Sequence, residues 1–165
     1  MAVLTSYNDG DHEDRGRSED SAADGVGHLM TAEQVIAPGG LRIRDTATGI
    51  TVSPGCCSGL EDWRDWLGLM NGEEPWVSHD PTPHIEHLGA SVRLWPDEDH
   101  PRESFIDLPL ARLPELLDSL RDQLVGFLAA VEGWAAQHAP ALAARPVAKL
   151  DEYLAIGAPL PQDQR

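Results

Sequence analysis

The sequence predicts an α+β fold, in which an antiparallel sheet of five or six strands, built from hairpins, packs against one long amphipathic helix. Two observations predict it. Short runs in which apolar and polar residues alternate come in pairs separated by turn residues. Further along, apolar residues recur at four- and three-residue spacing over about three heptads. Strands grouped in hairpins, rather than alternating singly with helices, favour an antiparallel sheet with a helix on one face.

The first predicted hairpin lies between residues 41 and 53. The runs LRIR (41–44) and ITVS (50–53) alternate in polarity and flank DTATG, a segment with turn chemistry and a glycine. A further short strand candidate, AEQVIA (32–37), precedes this hairpin.

A short helix is predicted over 58–70. Ser58 and Glu61 form the S-x-x-E capping pattern, in which each side chain satisfies a free backbone N–H of the first turn. Four apolar residues then share one face of an α-helix. They are Leu60, Trp63, Leu67 and Met70.

From residue 84 apolar and polar residues again alternate. HIEHL (84–88) and SVRLW (91–95) read as a second hairpin, and ESFIDL (103–108) as a further strand. The long helix is predicted over 112–137, and a short C-terminal helix follows from residue 147. The long helix has a heptad seam of Leu113, Leu117, Leu120, Leu124, Phe127, Val131 and Trp134. Such a seam fits a helix packed on its own sheet or a coiled-coil dimer, so both a monomer and a homodimer stay open.

Composition divides the 165 residues into three parts. Residues 1–30 are mostly acidic and small, with little to bury, and are predicted to be a disordered acidic tail. Residues 31–156 are predicted to form a single α+β domain. Residues 157–165 are predicted to be a C-terminal tail.

The net charge of −16 argues against a nucleic-acid partner, because phosphate binding requires a basic surface. It is compatible with a basic protein partner. An apolar run of about 18 residues, as a membrane span needs, is lacking, and the N-terminus lacks the pattern of a signal peptide. We therefore expect a cytoplasmic protein with its cysteines as thiols.

No cofactor is predicted, because phosphate-binding, dinucleotide-binding and nucleophile-elbow motifs are lacking, and this lowers the expectation of an enzyme. A metal site remains an alternative. Cys56, Cys57 and His79 carry the ligand types that zinc prefers. Adjacent cysteines are an unusual spacing for one zinc ion, and His84 and His87 would point to opposite faces of a strand. The structural interpretation is that both cysteines are small buried residues where the hairpin meets the helix.

A cysteine-dependent enzyme or redox sensor is the other alternative. Cys57 precedes the predicted helix start at Ser58, and a helix N-terminus favours the thiolate. His79 would serve as its base, with Asp80 beside it. The structural interpretation of the same histidine is an anchor for the proline-fixed loop that it begins.

The tryptophans and their acidic neighbours indicate a binding surface. Two acidic loops, NGEEPW (71–76) and WPDEDH (95–100), each adjoin a tryptophan, and exposed aromatic residues are common binding hot spots. The predicted binding residues are Trp66, Glu73, Glu74, Trp76, Trp95, Asp97, Glu98 and Asp99.

The segment GCCSGLEDWRDWL (55–67), followed by GEEPWVSHDPTP (72–83), resembles actinobacterial proteins that are similar to immunity proteins of bacterial toxin systems. The resemblance covers about residues 54–96 and lies in composition. It implies a small, acidic α+β protein that neutralises a toxin, and it implies no roles for individual residues. We therefore expect a cytoplasmic protein-binding module whose partner is a protein, such as a basic toxin domain.

Overall fold

The computed structural model describes residues 1–7, 26–33, 37–77, 79–97 and 104–160. The strands are β1 (Ala2–Tyr7), β2 (Gly40–Asp45), β3 (Thr51–Val52), β4 (His84–His87), β5 (Ser91–Trp95) and β6 (Ile106–Pro109). The α-helices are α1 (26–31), α2 (Leu113–His138) and α3 (Ala144–Leu154). Segments of 3-10 helix span Leu60–Asn71, Leu110–Arg112 and Pro140–Leu142.

The six described strands form two antiparallel sheets of three, in the orders β1-β2-β3 and β4-β5-β6. The predicted α+β class is therefore confirmed, but the prediction of one sheet with five or six strands is wrong. The short strand β3 gives the physical reason. Only Thr51 and Val52 pair in it, so its outer edge offers few backbone groups, and β4 pairs with β5 instead.

The first sheet includes a strand that the sequence did not predict. β1 pairs with β2 from Ala2↔Asp45 to Tyr7↔Gly40, and Leu4 faces Ile43 in the core, each at most 1% exposed. The predicted disorder is therefore wrong for Ala2–Tyr7, and also for the helical residues 26–31. The partner of β1 is distant in sequence, so no local turn signal announces the pairing. Residues 8–25 of the predicted tail lie outside the described residues.

The two predicted hairpins and the predicted strand after them are confirmed as the five strands β2 to β6. The AEQVIA candidate extends into residues 34–36, outside the described ranges. The hairpin of β2 and β3 closes where the Asp45 N–H donates to the Ile50 carbonyl at 2.9 Å. The hairpin of β4 and β5 pairs His84↔Trp95 through His87↔Val92, and β6 follows in the predicted place.

The segment predicted as an α-helix over 58–70 is a 3-10 helix from Leu60, with Gly59 as its N-cap and no side-chain cap bond. The predicted capping box is therefore wrong. Glu61 instead accepts a hydrogen bond from the Ala37 N–H at 3.2 Å, and the buried Ser58 hydroxyl has no hydrogen-bond partner within the described ranges. Three residues complete one turn of a 3-10 helix, so residues three apart eclipse. The residues that it buries are Trp63, Trp66 and Leu69.

The long helix α2 begins and ends within a residue of the predicted bounds 112–137. The first half of its seam is buried, at Leu113, Leu117, Leu120 and Leu124. In the second half, Phe127 and Trp134 are each 43% exposed. Packing of this helix on a sheet stays a prediction. The predicted C-terminal helix is confirmed as α3.

The chain groups into two compact units, Met1–Asp9 with Ala37–Arg121 and Gly10–Ile36 with Asp122–Arg165. The first contains both sheets. In the second, Lys149 donates to the carbonyls of Met30 and Ala32, which ties α3 to the end of α1. No helix within the described ranges has the length and apolar character that crossing a bilayer requires.

Candidate functional site

Two loops of the first unit meet at the candidate site. One lies between β3 and the 3-10 helix and carries Cys56 and Cys57, and the other lies before β4 and carries His79. The Gly55 N–H donates to the Val77 carbonyl at 3.0 Å, and the Cys56 N–H donates to the His79 carbonyl at 2.8 Å. These two backbone hydrogen bonds hold the loops together and set the cysteines beside the histidine.

Gly55 makes the close approach of the loops possible. A Cβ atom at this buried position would lie 2.2 Å from the carbonyl oxygen of His79 and 2.6 Å from that of Pro81. Backbone atoms cannot move aside as the end of a flexible side chain can, so only glycine fits here. The site is therefore preorganised by the backbone of both loops.

The geometry places two thiols and one imidazole in a cluster. The Sγ atoms of Cys56 and Cys57 lie 3.4 Å apart, and Cys57 Sγ lies 3.8 Å from His79 Nε2. One ligand atom from each of the three residues lies within 4.8 Å of the other two. All three side chains are exposed, and neither cysteine is in a disulfide.

The interpretation of the cysteines as buried packing residues is wrong. The loop buries Gly55, Ser58 and Gly59 and turns both thiols outward. The predicted position of Cys57 just before a helix cap at Ser58 is also wrong, because the helix begins at Leu60. The structure brings Cys57 and His79, which the sequence paired only as an alternative, to 3.8 Å between Sγ and Nε2.

The charges at the cluster act on Cys56. The pKa of the Cys56 thiol is raised, first by its hydrogen bond with Cys57, then by partial desolvation, and then by the negative charges of Cys57 and Asp80. The Cys56 thiol therefore ionises less readily than an isolated thiol. A catalytic part for Asp80 beside His79 stays a prediction.

Other histidines that the sequence placed near this chemistry lie elsewhere. His84 and His87 belong to β4 and are outside the cluster. The ring of His84 instead contacts the Trp95 ring, with centroids 5.1 Å apart.

The predicted binding surface is only partly exposed. Trp66 and Trp95 are buried, at 6% and 5% exposure, so their prediction as surface residues is wrong. Trp66 is buried because the 3-10 helix eclipses it with Trp63, and Trp95 because its ring packs among side chains that include His84 and Phe105. Trp76 is 62% exposed. Of the predicted acidic residues, Glu73 and Glu74 are exposed, Asp97 is half-buried, and Glu98 and Asp99 lie outside the described residues.

A cleft of the first unit joins some of these residues. Its lining includes Ser58, Asp62, Trp66 and Trp76, and it encloses about 10 Å³, which is room for one water molecule at most. The pKa of Asp62 is raised by partial desolvation and by the neighbouring charges of Glu61 and Asp65. This cleft is too small for an organic ligand, so the exposed Cys/His cluster is the stronger candidate site.

Comparison with protein-family models, with curated proteins and with solved structures finds no match for this chain.

Proposed function

We propose that the chain acts through thiol–disulfide exchange at Cys56 and Cys57, with His79 as a proton acceptor. One observation carries the proposal. Two exposed sulfur atoms lie 3.4 Å apart, and the imidazole nitrogen of His79 lies 3.8 Å from the sulfur of Cys57. Exchange needs an accessible attacking thiol and a second thiol within reach of it, and this arrangement supplies both.

Cys57 is assigned the attack because it adjoins the imidazole. In the tautomer that leaves Nε2 unprotonated, this nitrogen takes the thiol proton, and the Cys57 thiolate attacks a disulfide R–S–S–R. A mixed disulfide forms between Cys57 and one R–S group, and the other leaves as a thiolate. The Cys56 sulfur then attacks Cys57 Sγ and displaces the second R–S group. The two cysteines thereby lose two electrons and two protons, and the substrate is reduced to two thiols.

Sequence adjacency suits the pair to a reversible cycle. Consecutive Cα atoms lie about 3.8 Å apart across a trans peptide, which is less than the roughly 4.4–6.8 Å usual in disulfides. A bond between neighbours is therefore more easily reduced than a structural disulfide. A cytoplasmic location fits this role, because the thiol pool there would regenerate the dithiol after each cycle.

The experiment treats reduced protein with oxidised glutathione in the presence of a chelator and follows the intact mass. We expect the wild type to lose two hydrogen atoms and to keep no adduct. Cys56→Ser should stop at a glutathione adduct on Cys57, because the resolving thiol is gone. His79→Ala should slow the reaction near neutral pH but not at alkaline pH, where the thiolate forms without a base. A stable adduct on the wild type, or no reaction of the native chain, would refute the proposal.

A second candidate is a protein-binding module of the immunity type, and the exposure of Trp76 favours it. Its indole is 62% exposed in a loop with the exposed carboxylates of Glu73 and Glu74. An exposed aromatic residue supplies affinity, and the net charge of −16 would speed encounter with a basic toxin domain.

This candidate predicts an association that slows with added salt and weakens on Trp76→Ala. The partner to test is the product of the gene next to this one, measured by surface plasmon resonance at two salt concentrations. Binding that is indifferent both to salt and to Trp76→Ala would exclude this surface.

A further inference from the structure

We infer that the reduced cluster of Cys56, Cys57 and His79 binds one zinc ion, with the two sulfurs and one imidazole nitrogen as ligands. The inference goes beyond thiol exchange, because it concerns the dithiol form and requires the imidazole as a ligand instead of a base. It rests on the distances within the cluster, on its charge and on the way the backbone holds it.

The distances fit one tetrahedral ion. Zinc bonds sulfur at about 2.3 Å and imidazole nitrogen at about 2.0–2.1 Å. At a tetrahedral angle, two sulfur ligands are then about 3.8 Å apart, and a sulfur and a nitrogen about 3.5 Å apart. The observed separations are 3.4 Å between the sulfurs and 3.8 Å between Cys57 Sγ and His79 Nε2. Small side-chain rotations therefore bring the three atoms onto one ion.

Adjacent cysteines are unusual zinc ligands, because neighbours in a regular strand point to opposite faces. The loop removes this obstacle. Cys56 and Cys57 lie in a turn directly after Pro54-Gly55 and belong to no strand or helix, and their sulfur atoms face each other across 3.4 Å. Both thiols can therefore approach one ion from the same side.

Electrostatics favour a cation at this position. Zinc is bound by thiolates, so the two cysteine ligands would carry two negative charges, and Asp80, next to His79 in sequence, adds a third. A divalent cation would offset this negative charge.

The backbone prepares the site before an ion arrives. The hydrogen bonds from Gly55 to Val77 and from Cys56 to His79 fix the two loops that carry the ligands. With three protein ligands and all three side chains exposed, the fourth position of a tetrahedral ion faces solvent. Water or an external ligand can occupy it, as in zinc sites that are not closed by the protein.

The experiment titrates zinc alone into reduced, metal-free protein in competition with a chromophoric chelator. We expect one equivalent per chain. Cys56→Ser, Cys57→Ser and His79→Ala should each weaken binding by at least about tenfold, while His79→Cys should retain it. His28→Ala is the matched control, because His28 is also exposed and lies outside the cluster. Cobalt(II) in place of zinc should give the visible absorption of a tetrahedral thiolate complex in the wild type, and circular dichroism checks that each variant is folded.

Absence of stoichiometric binding to the wild type, or equal weakening by His79→Ala and His28→Ala, would overturn the inference. The proposed exchange reaction is measured with a chelator present, so the two proposals fail separately. Zinc binding without thiol–disulfide exchange would refute only the proposed function, and exchange without zinc binding would refute only the proposed zinc site.

Discussion

Gly55→Ala tests whether the contact between the two loops builds the site. A Cβ atom at this position would lie 2.2 Å from the His79 carbonyl oxygen and 2.6 Å from the His79 nitrogen. Ordinary contact begins at 3.4 Å, so the loop that carries His79 would have to retreat by about 1 Å. A retreat of this size stretches the hydrogen bonds Gly55–Val77 and Cys56–His79, which are 3.0 and 2.8 Å long.

The expected cost follows from these two hydrogen bonds. Each backbone bond contributes a net of about 0.5–1.5 kcal/mol, and overpacking a filled position costs about 1–3 kcal/mol. Lengthening the hydrogen bonds relieves the overpacking, so the two costs do not add in full. We therefore expect the free energy of unfolding to fall by about 1–3 kcal/mol. Separation of Cys57 from His79 should also weaken zinc binding by about tenfold or more, as for other losses of ligand support.

Urea unfolding measures the change in stability of the Gly55→Ala protein, and competition with a chelator measures its affinity for zinc. Gly133→Ala is the control, because a Cβ added to this exposed glycine of α2 would meet no described atom within 4 Å beyond its chain neighbours and the backbone of its own helix. Alanine in a helix interior should raise stability by up to about 1 kcal/mol and leave the site unchanged. A Gly55→Ala protein with the stability and zinc affinity of the wild type would refute the argument that the loop contact organises the cluster.

Three further predictions concern single side chains. Cys57→Ala should lower the pKa of the Cys56 thiol, because Cys57 is the largest cause of its elevation, so the pH profile of Cys56 alkylation should move to lower pH; an unmoved profile would contradict this. Trp66→Ala should destabilise the fold by about 3–5 kcal/mol, as for buried aromatic residues, whereas Trp76→Ala should change stability by less than about 0.5 kcal/mol, and equal urea midpoints would contradict the assigned burial. Arg93 holds the pKa of Asp107 below its usual value through hydrogen bonds of 2.7 and 2.9 Å. The pair therefore stabilises the fold at pH values above the carboxyl pKa of the unfolded chain, and this stabilisation is lost as the pH falls through the lower carboxyl pKa of the folded chain. Asp107→Asn should therefore lower the melting temperature at neutral pH, and a difference from the wild type that persists in strong acid would contradict the ion-pair explanation.

The strands that pair through hairpins could be predicted from the sequence, because alternation and turn residues are local signals. β1 could not, since its partner β2 lies beyond a long acidic segment of the sequence, so no local signal marks the pairing. The helical segment at 60–71 was found, but its type was not. At 100° per residue, the sequence spacing predicts a buried face that includes Leu67 and Met70, whereas the 3-10 geometry buries Trp66 and Leu69.

The candidate site was half predicted. The residue types of Cys56, Cys57 and His79 pointed to metal or thiol chemistry, but burial of the cysteines was the favoured interpretation. Their exposure depends on how the loop after Pro54-Gly55 turns, and their proximity to His79 depends on backbone hydrogen bonds between distant loops. The available signal was Gly55 itself, because a glycine between a proline and two cysteines is compatible with a close backbone approach. Sequence spacing does not identify the distant segment whose backbone such a glycine contacts.

The most direct test of the account is the reactivity of the two thiols in the folded chain. Native, reduced protein is treated with a chromogenic thiol reagent without denaturant, with circular dichroism to show that it stays folded. The exposed positions of Cys56 and Cys57 predict that both thiols react under these conditions. Thiols that react only after unfolding would contradict the exposed cluster on which thiol exchange and zinc binding both depend.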